Sequence, residues 1–401
     1  MHVRVTILHR RSLIRKSALS GNTLYFPSMS ITSLTKLSSL DELKALRPAW
    51  EDLSANAVEQ NFNYEPAGLL PLLTHVEYPG WFVLTIWSDD KLIGFIPAQI
   101  ENKIPLPINQ FSMLFRHNIL SCAPLLRDGY LDEALSVFWR WFNEPRQPKI
   151  MRINEVLSRS SVWQAFLKGT TTECGVVDVS DKMVRAVGNT NDLSYEDYFQ
   201  TNLSAKARGA FRRKKRRIEE DYGNWRTDVL HTGNDIPDRF VNYLIDVEAK
   251  SWKYDQGTSL KQQVDVAQFF KEAAALAIHQ NRLVVAISFL DEQPVSAMSG
   301  FINDRTLWIY KIGYDENYRK YSVGEATMMD LIEHALETAD IQAIDSCADP
   351  GSELLNRGLP ERRDVFYYQL ASNHFVSRSA LKAVTGSRTL RLKLKKRHQG
   401  F

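Results

Sequence analysis

Leu307–Ala335, LWIYKIGYDENYRKYSVGEATMMDLIEHA, is the stretch whose reading decides the fold. Leu307, Trp308, Ile309, Tyr310 and Ile312 suit a pleated, half-buried strand. Gly313 and the polar run Asp315-Glu316-Asn317 end it. Ala326, Met329, Leu331, Ile332 and Ala335 then recur at helical spacing. Ser322 takes the N-cap position and Glu325 follows as in a capping box. A helix start presents unpaired backbone N–H groups and partial positive charge. Gly324 in the first turn leaves those amides open to a phosphate, with Arg319 and Lys320 just upstream. Arg319, Lys320, Ser322, Val323, Gly324, Glu325 and Ala326 thus form a candidate pyrophosphate cradle. An ordinary capped helix is the alternative at this point.

The neighbouring chain supplies the context. Trp225–His231 reads as a strand, and Ile236–Trp252 and Val264–Gln280 as helices. Arg282–Leu290, an acidic turn and Val295–Ile302 form a strand pair leading into the opening stretch. Ile341–Asp345 is a short strand ending on an acid, Val365–Leu370 a last strand, and Phe375–Arg397 a basic helix. Before them, Tyr195–Asp221 reads as one long helix with eight cations between Lys206 and Arg217. Asn189–Ser194 is a polar boundary.

The first half follows the same plan. Ser38–Ala55 is an amphipathic helix with Pro48 as a kink or break, and Phe62–Val76 a second helix interrupted by Pro66 and Pro71. Trp81–Trp87, the turn Ser88-Asp89-Asp90 and Lys91–Ile100 form a hairpin. Phe111–Phe115, the helix Leu131–Phe142, the strand Ile150–Val156, a helix at Val162–Leu167 and a strand at Val176–Val179 follow. Set beside RLVVAISFL-DEQ-PVSAMSGFI, WFVLTIW-SDD-KLIGFIPAQI indicates a duplication with a period of roughly 200 residues. The division is a basic disordered leader at 1–29, a degenerate domain at 30–190 and a second domain at 191–401.

The 401 residues suffice for two domains, and 44% hydrophobic with 24% charged residues is a soluble globular composition. A net charge of +3 does not by itself point to nucleic acid. The three cysteines, Cys122, Cys174 and Cys347, lack disulfide or metal-ligand spacing and fit a reducing cytosol, so the expected location is cytoplasmic and no metal is expected. No apolar run approaches the ~20 residues of a membrane span. Walker, zincin and nucleophile-elbow motifs are absent from the sequence.

The order β, α, α, β, β, β, α, β, α, β of the second half is that of the GNAT acyltransferase fold. Residues 195–371 resemble the CelD/BcsL-like acetyltransferases associated with cellulose and polysaccharide synthesis. The resemblance rests on KARGAFRRKKRRIEEDYG, EAKSW, YKIGYDENYRKYSVGEATM and the strand ending at Asp345. That family starts its helix with Ser-Pro-Gly where this chain has Ser322-Val323-Gly324. Asn356 or Arg357 stands in the region where it carries a lysine. FemAB-type aminoacyl transferases also carry tandem GNAT domains.

The resemblance implies an α/β mixed-sheet fold with two tandem GNAT-like acyltransferase domains. It implies an acyl-CoA donor, acetyl-CoA first, with its pyrophosphate on Ser322–Ala326. A backbone N–H on the Leu307–Ile312 strand would bind the thioester oxygen. Asp345 is the first candidate base and Glu248 the second; Tyr310 would protonate the thiolate. Lys311, Tyr314 and Trp252 would contact the acceptor, a small molecule, sugar or polysaccharide-related group. Peripheral contact with a membrane polysaccharide-synthesis complex is a further expectation. Three alternatives stand beside this: a non-catalytic accessory protein, an aminoacyl transferase, and nucleic-acid binding through the basic helix, the last ranked lowest.

Overall fold

The hydrophobic runs expected as strands all enter one sheet. The computed structural model describes residues 4–10, 29–104, 107–115, 119–190, 193–231, 237–348 and 350–398. Its strands are β1 (Arg4–Arg10), β2 (Met29–Leu37), β3 (Trp81–Ser88), β4 (Lys91–Glu101), β5 (Asn109–Met113), β6 (Leu125–Leu126) and β7 (Lys149–Leu157). Then come β8 (Val176–Asn189), β9 (Trp225–Leu230), β10 (Leu283–Leu290), β11 (Gln293–Asn303), β12 (Thr306–Tyr314), β13 (Ala343–Asp345) and β14 (Glu361–Ala371). Their spatial order among the described residues is β1-β2-β3-β4-β5-β7-β14-β8-β13-β12-β11-β10-β9, with β6 on β4.

This order exposes the duplication. Each half runs through an antiparallel hairpin (β3–β4, β10–β11), a third strand (β5, β12) and a parallel partner (β7, β13). The last strands are then exchanged: β14 pairs with β7, and β8 pairs with β13. β8 and β14 pair with each other from Glu361↔Val187 to Ala371↔Val176. The C-terminal strand therefore lies among the strands of the first half.

Helices cover both faces. Leu40–Ala55, Pro66–His75, Leu131–Phe142, Pro237–Glu248 and Val264–Ile278 bury their apolar sides in one cluster that runs through both halves. The halves meet where Phe62 stacks on Phe301 at 4.4 Å between ring centres and the Phe62 amide donates to Asn303 Oδ1 at 2.7 Å. Tyr195–Asn202, Ala205–Tyr222 and Val323–Glu337 enclose a second core with Leu307, Ile309 and Ile344.

Several local expectations are corrected. Tyr195–Asp221 is two helices, because the Ser204 hydroxyl caps a new start by accepting from the Ala207 amide at 3.2 Å. Val176–Val179 is the beginning of a strand that continues to Asn189; partner strands rather than core burial sustain its polar residues. Pro48 and Pro71 lie inside continuous helices. In the expected leader, Arg4–Arg10 is a strand paired with Met29–Leu37, while 1–3 and 11–28 lie outside the described residues.

Four charged residues lie across the exchange on neighbouring strands: Glu155 on β7, Arg363 on β14, Arg185 on β8 and Asp345 on β13. Arg185 reaches over β14 to Glu155, and Arg363 reaches over β8 to Asp345 at 3.1 Å. Each pair thus ties a strand to its own half across the intruder. Asp345 and Arg185 are almost wholly buried, so removing one partner strands a charge. Asp345→Asn is expected to lower unfolding stability by about 3–5 kcal/mol in urea titrations. A loss below about 1 kcal/mol, the level of an exposed pair, would show that these pairs do not hold the seam.

Candidate active site

β12 and β13 pair in parallel at three positions, Thr306–Ala343, Leu307–Ile344 and Trp308–Asp345. Past Trp308, β12 runs on to Tyr314 while β13 ends at Asp345, so β12 continues beyond its parallel-paired stretch. Along the opposite edge of β12 the register jumps from Ser299↔Lys311 to Gly300↔Ile309, making Tyr310 the extra residue of a bulge. Gly300 permits this approach: a Cβ there would sit 2.5 Å from the Trp308 carbonyl oxygen.

At the end of β12, Asp315 Oδ1 accepts from the Asn317 amide at 3.0 Å and starts the 3-10 turn Glu316–Tyr321. Ser322 follows with φ 57° and ψ 45°, and the helix Val323–Glu337 begins. The capping box does not form. The left-handed backbone turns the Ser322 hydroxyl from the helix amides, and it accepts instead from Lys214 Nζ at 2.7 Å. The Ser322 carbonyl takes the Glu325 and Ala326 amides at 2.9 and 3.2 Å. That leaves Val323 and Gly324 as the outermost donors of the helix. A left-handed non-glycine residue costs about 1–3 kcal/mol, and such strain gathers at binding sites.

The cations nearest this start are not all those expected. Lys214 and Arg357 lie 3.6 and 3.8 Å from the Glu325 carboxylate. Arg319 is exposed, 3.9 Å from Glu316, and Lys320 lies over the Tyr321 ring at 4.7 Å. In the sequence Lys214 was one of eight cations on a charged helix. Its neighbours Arg212, Arg216 and Arg217 face acids at 3.6, 3.5 and 3.8 Å, as on a solvated helix face.

The two candidate bases are distinct environments. Asp345 is fully buried and accepts from Arg363 and from the Cys347 amide at 2.9 Å. Glu248 is also fully buried; Lys253 Nζ donates to it at 2.7 Å and the Leu260 amide at 2.7 Å. Lys253 donates at 2.6 Å to the Ile312 carbonyl as well, which locks the Glu248 helix to β12. Gly313 lets that helix come close, since a Cβ there would lie 2.8 Å from Glu248 Cα.

Tyr310 packs among Phe269, Phe270 and Phe301 at 6.3, 5.3 and 5.5 Å, and burial pushes its hydroxyl well up, so it keeps its proton. Burial lowers the Lys311 ammonium to about 8, against the upward pull of Glu248. Tyr314 is half-buried and raised by the same cause, with Glu316 adding to it. Trp252 stands exposed beside the equally exposed Tyr254. Lys311, Glu248 and Lys253 thus gather at one stretch of β12, Lys214 and Arg357 at the helix start, and Asp345 in the seam. Sequence reasoning missed Arg185 and Arg363, whose partners are reached through the strand exchange, and Lys253, which stands five residues from Glu248 but meets Ile312 only through helix packing.

Among the described residues, no group of His, Cys, Asp and Glu could hold a metal ion, and no helix is long and apolar enough to cross a membrane.

A parallel pair whose longer strand runs on to a helix start, within a mixed sheet, is the GNAT-type acyltransferase architecture. Residues 205–352 match the family described as "Acetyltransferase (GNAT) domain", so the second half carries a GNAT-type acetyltransferase domain. Two solved structures share the fold. FemX is 9% identical, with 83% of this chain and 96% of that one covered at a TM-score of 0.51. The C-terminal domain of a putative lysylphosphatidylglycerol synthetase from Agrobacterium fabrum is 11% identical, covering 87% and 96% at 0.50. A tandem GNAT protein from the clavulanic acid pathway matches at 11% identity over 84% and 98%, with a TM-score of 0.45. No curated protein matches the chain in sequence.

The Lys311 environment has a direct readout. In 13C NMR of reductively methylated protein, the Lys311 signal should titrate near pH 8. Glu248→Gln should lower that midpoint further, because the carboxylate favours the ammonium. A Lys311 midpoint near 10.5, the ordinary lysine value, would remove this group from neutral-pH proton chemistry.

Proposed function

We propose that the protein is an acyl-CoA-dependent N- or O-acyltransferase with one donor site, where β12 runs on past β13. The observation that carries this is the strained Ser322 start of the helix Val323–Glu337, which follows the stretch of β12 beyond β13 and has Lys214 and Arg357 beside it. The Val323 and Gly324 amides would take the pyrophosphate, and the two cations would balance it by turning from Glu325. Arg319 and Lys320 would meet outer phosphate groups from the exposed turn.

In the reaction, the acceptor nitrogen or oxygen attacks the thioester carbonyl. Its proton passes to the Lys311 amine, which burial poises near neutrality beside Glu248. A backbone N–H of β12 past Trp308 steadies the oxyanion. The carbon–sulfur bond then breaks and the thiolate takes the Tyr310 hydroxyl proton. Asp345, held by Arg363, acts as a positioning residue in place of a base. Tyr314 and Trp252 line the acceptor side. A small-molecule, sugar or polysaccharide-related acceptor, an acetyl donor, a cytoplasmic location and contact with a polysaccharide-synthesis complex are supported by the resemblance to CelD/BcsL-like proteins.

Calorimetry with acetyl-CoA tests the donor site. Gly324→Glu should abolish binding. Lys214→Met should weaken it about tenfold, the worth of one charge-assisted hydrogen bond. Lys206→Met, an exposed change on the same helix, should leave it unaltered. Equal affinity in all four proteins, or none in the wild type, would sink the donor-site claim. With an acceptor in hand, kcat/KM should rise with pH to about 8, and Lys311→Met should lower it roughly 10²–10⁴-fold. An unchanged rate in Lys311→Met would exclude the lysine as base.

A further inference from the structure

The first half contains a cavity of about 260 Å³ between the sheet and the end of the helix Leu131–Phe142. It approaches the low end of small-molecule sites, about 300–1,000 Å³. Its walls are Phe82, Phe111 and Trp141, which lock one another: Phe111 meets Phe82 at 5.9 Å and Trp141 at 5.5 Å between ring centres. Gln110 steadies the adjoining loop by accepting from the Lys103 and Ile104 amides at 3.1 and 2.8 Å. The lining is therefore held in place from within.

Two lysines, Lys149 and Lys36, are in the lining of this space. Lys149, on β7, is 1% exposed. Its Nζ donates to the Gln147 carbonyl at 3.2 Å, stands 3.9 Å from Glu144 and lies 5.0 Å over the Trp141 ring. An ammonium has three donors, and among the described residues the Gln147 carbonyl is the one within hydrogen-bond distance. Burying a cation in this way is costly unless an anion answers it. Lys36, at the mouth, lies 4.2 Å over the Phe82 ring. Two cations against the single Glu144 carboxylate leave one positive charge in the lining. Burial lowers Lys149 to about 8, which keeps it cationic at pH 7.

We propose that this cavity binds a small carboxylate with an apolar body, its carboxylate on Lys149 and Lys36 and its body between Phe82, Phe111 and Trp141. It is separate from the donor site. Five strand steps in the sheet separate β5 from β12, about 24 Å. The inference stands on the cavity alone, without the acyltransferase reading.

Octanoate and its neutral counterpart octanamide are the probes, titrated calorimetrically into the full chain. Octanoate should bind saturably at one site, at least roughly tenfold more tightly than octanamide, as expected for a charge-assisted pair. Saturating acetyl-CoA should leave that affinity unchanged. Lys149→Met, close in volume to the lysine stem, should bind both probes alike while circular dichroism shows the native fold. If that variant does not fold, Lys36→Met at the rim should weaken octanoate and leave octanamide unaffected. No saturable octanoate binding, equal affinity for both probes in the wild type, discrimination kept by folded Lys149→Met, or competition by acetyl-CoA would each overturn the proposal.

Discussion

Two buried ion pairs, Arg185–Glu155 and Arg363–Asp345, set the constraint on which the architecture depends. A duplicated domain could form two separate sheets. Here each half gives its last strand to the other, so β14 and β8 lie side by side where a boundary would fall. Backbone pairing alone would tolerate slippage between two long antiparallel strands. The charges remove that freedom. Shifting β14 by one residue would turn Arg363 to the opposite face and leave Asp345 buried beside Arg185 alone, 4.0 Å away. The cost of stranding a buried carboxylate makes the observed register decisive.

The stretch of β12 beyond β13 follows from that register. Asp345 is the last residue of β13 and pairs with Trp308 in the ladder. Fixing it fixes where β13 must stop, and hence where β12 loses its parallel neighbour. On the other side of β12, Lys253 joins Glu248 to the Ile312 carbonyl, and Gly313 admits the helix. β12 is thus pinned at both ends of its free stretch. A strand held in this way presents its backbone groups without reorganisation, which electrostatic stabilisation of an oxyanion requires.

The strands, the hairpins and the order of the second half were legible because apolar period and turn residues are local signals. Leu307–Ile312 and Leu131–Phe142 needed no tertiary information. The strand exchange had no such signal: nothing in VVDVSDKMVRAVGN names β14 as its partner, and its polar residues disguised its length. The junction at Ser322 was readable as a helix start with that residue at the N-cap position, while the capping box expected of its side chain does not form. The left-handed conformation of Ser322 is imposed by the preceding 3-10 turn and held by Lys214, a residue over a hundred positions away. The roles of Asp345 and Glu248 depended on burial and on cations brought by other elements, so residue type alone could not separate base from anchor.

The duplication also explains why the halves need not share a ligand. The helix of the first half that corresponds to Val323–Glu337 is Leu131–Phe142, and its first turn carries Asp132 and Glu133. Glu133 is buried and accepts from the Ser88 hydroxyl at 2.6 Å. A carboxylate fixed there already answers the positive end of the helix and repels a phosphate. Glu325 in the second half is held differently, by Lys214 and Arg357 at 3.6 and 3.8 Å, and both can turn to an incoming anion. The same scaffold therefore pairs its first-turn carboxylate with two cations in one half and with a buried hydroxyl in the other. An excess of one positive charge lines instead the cavity that Lys149, Lys36 and Glu144 share, under the far end of that helix.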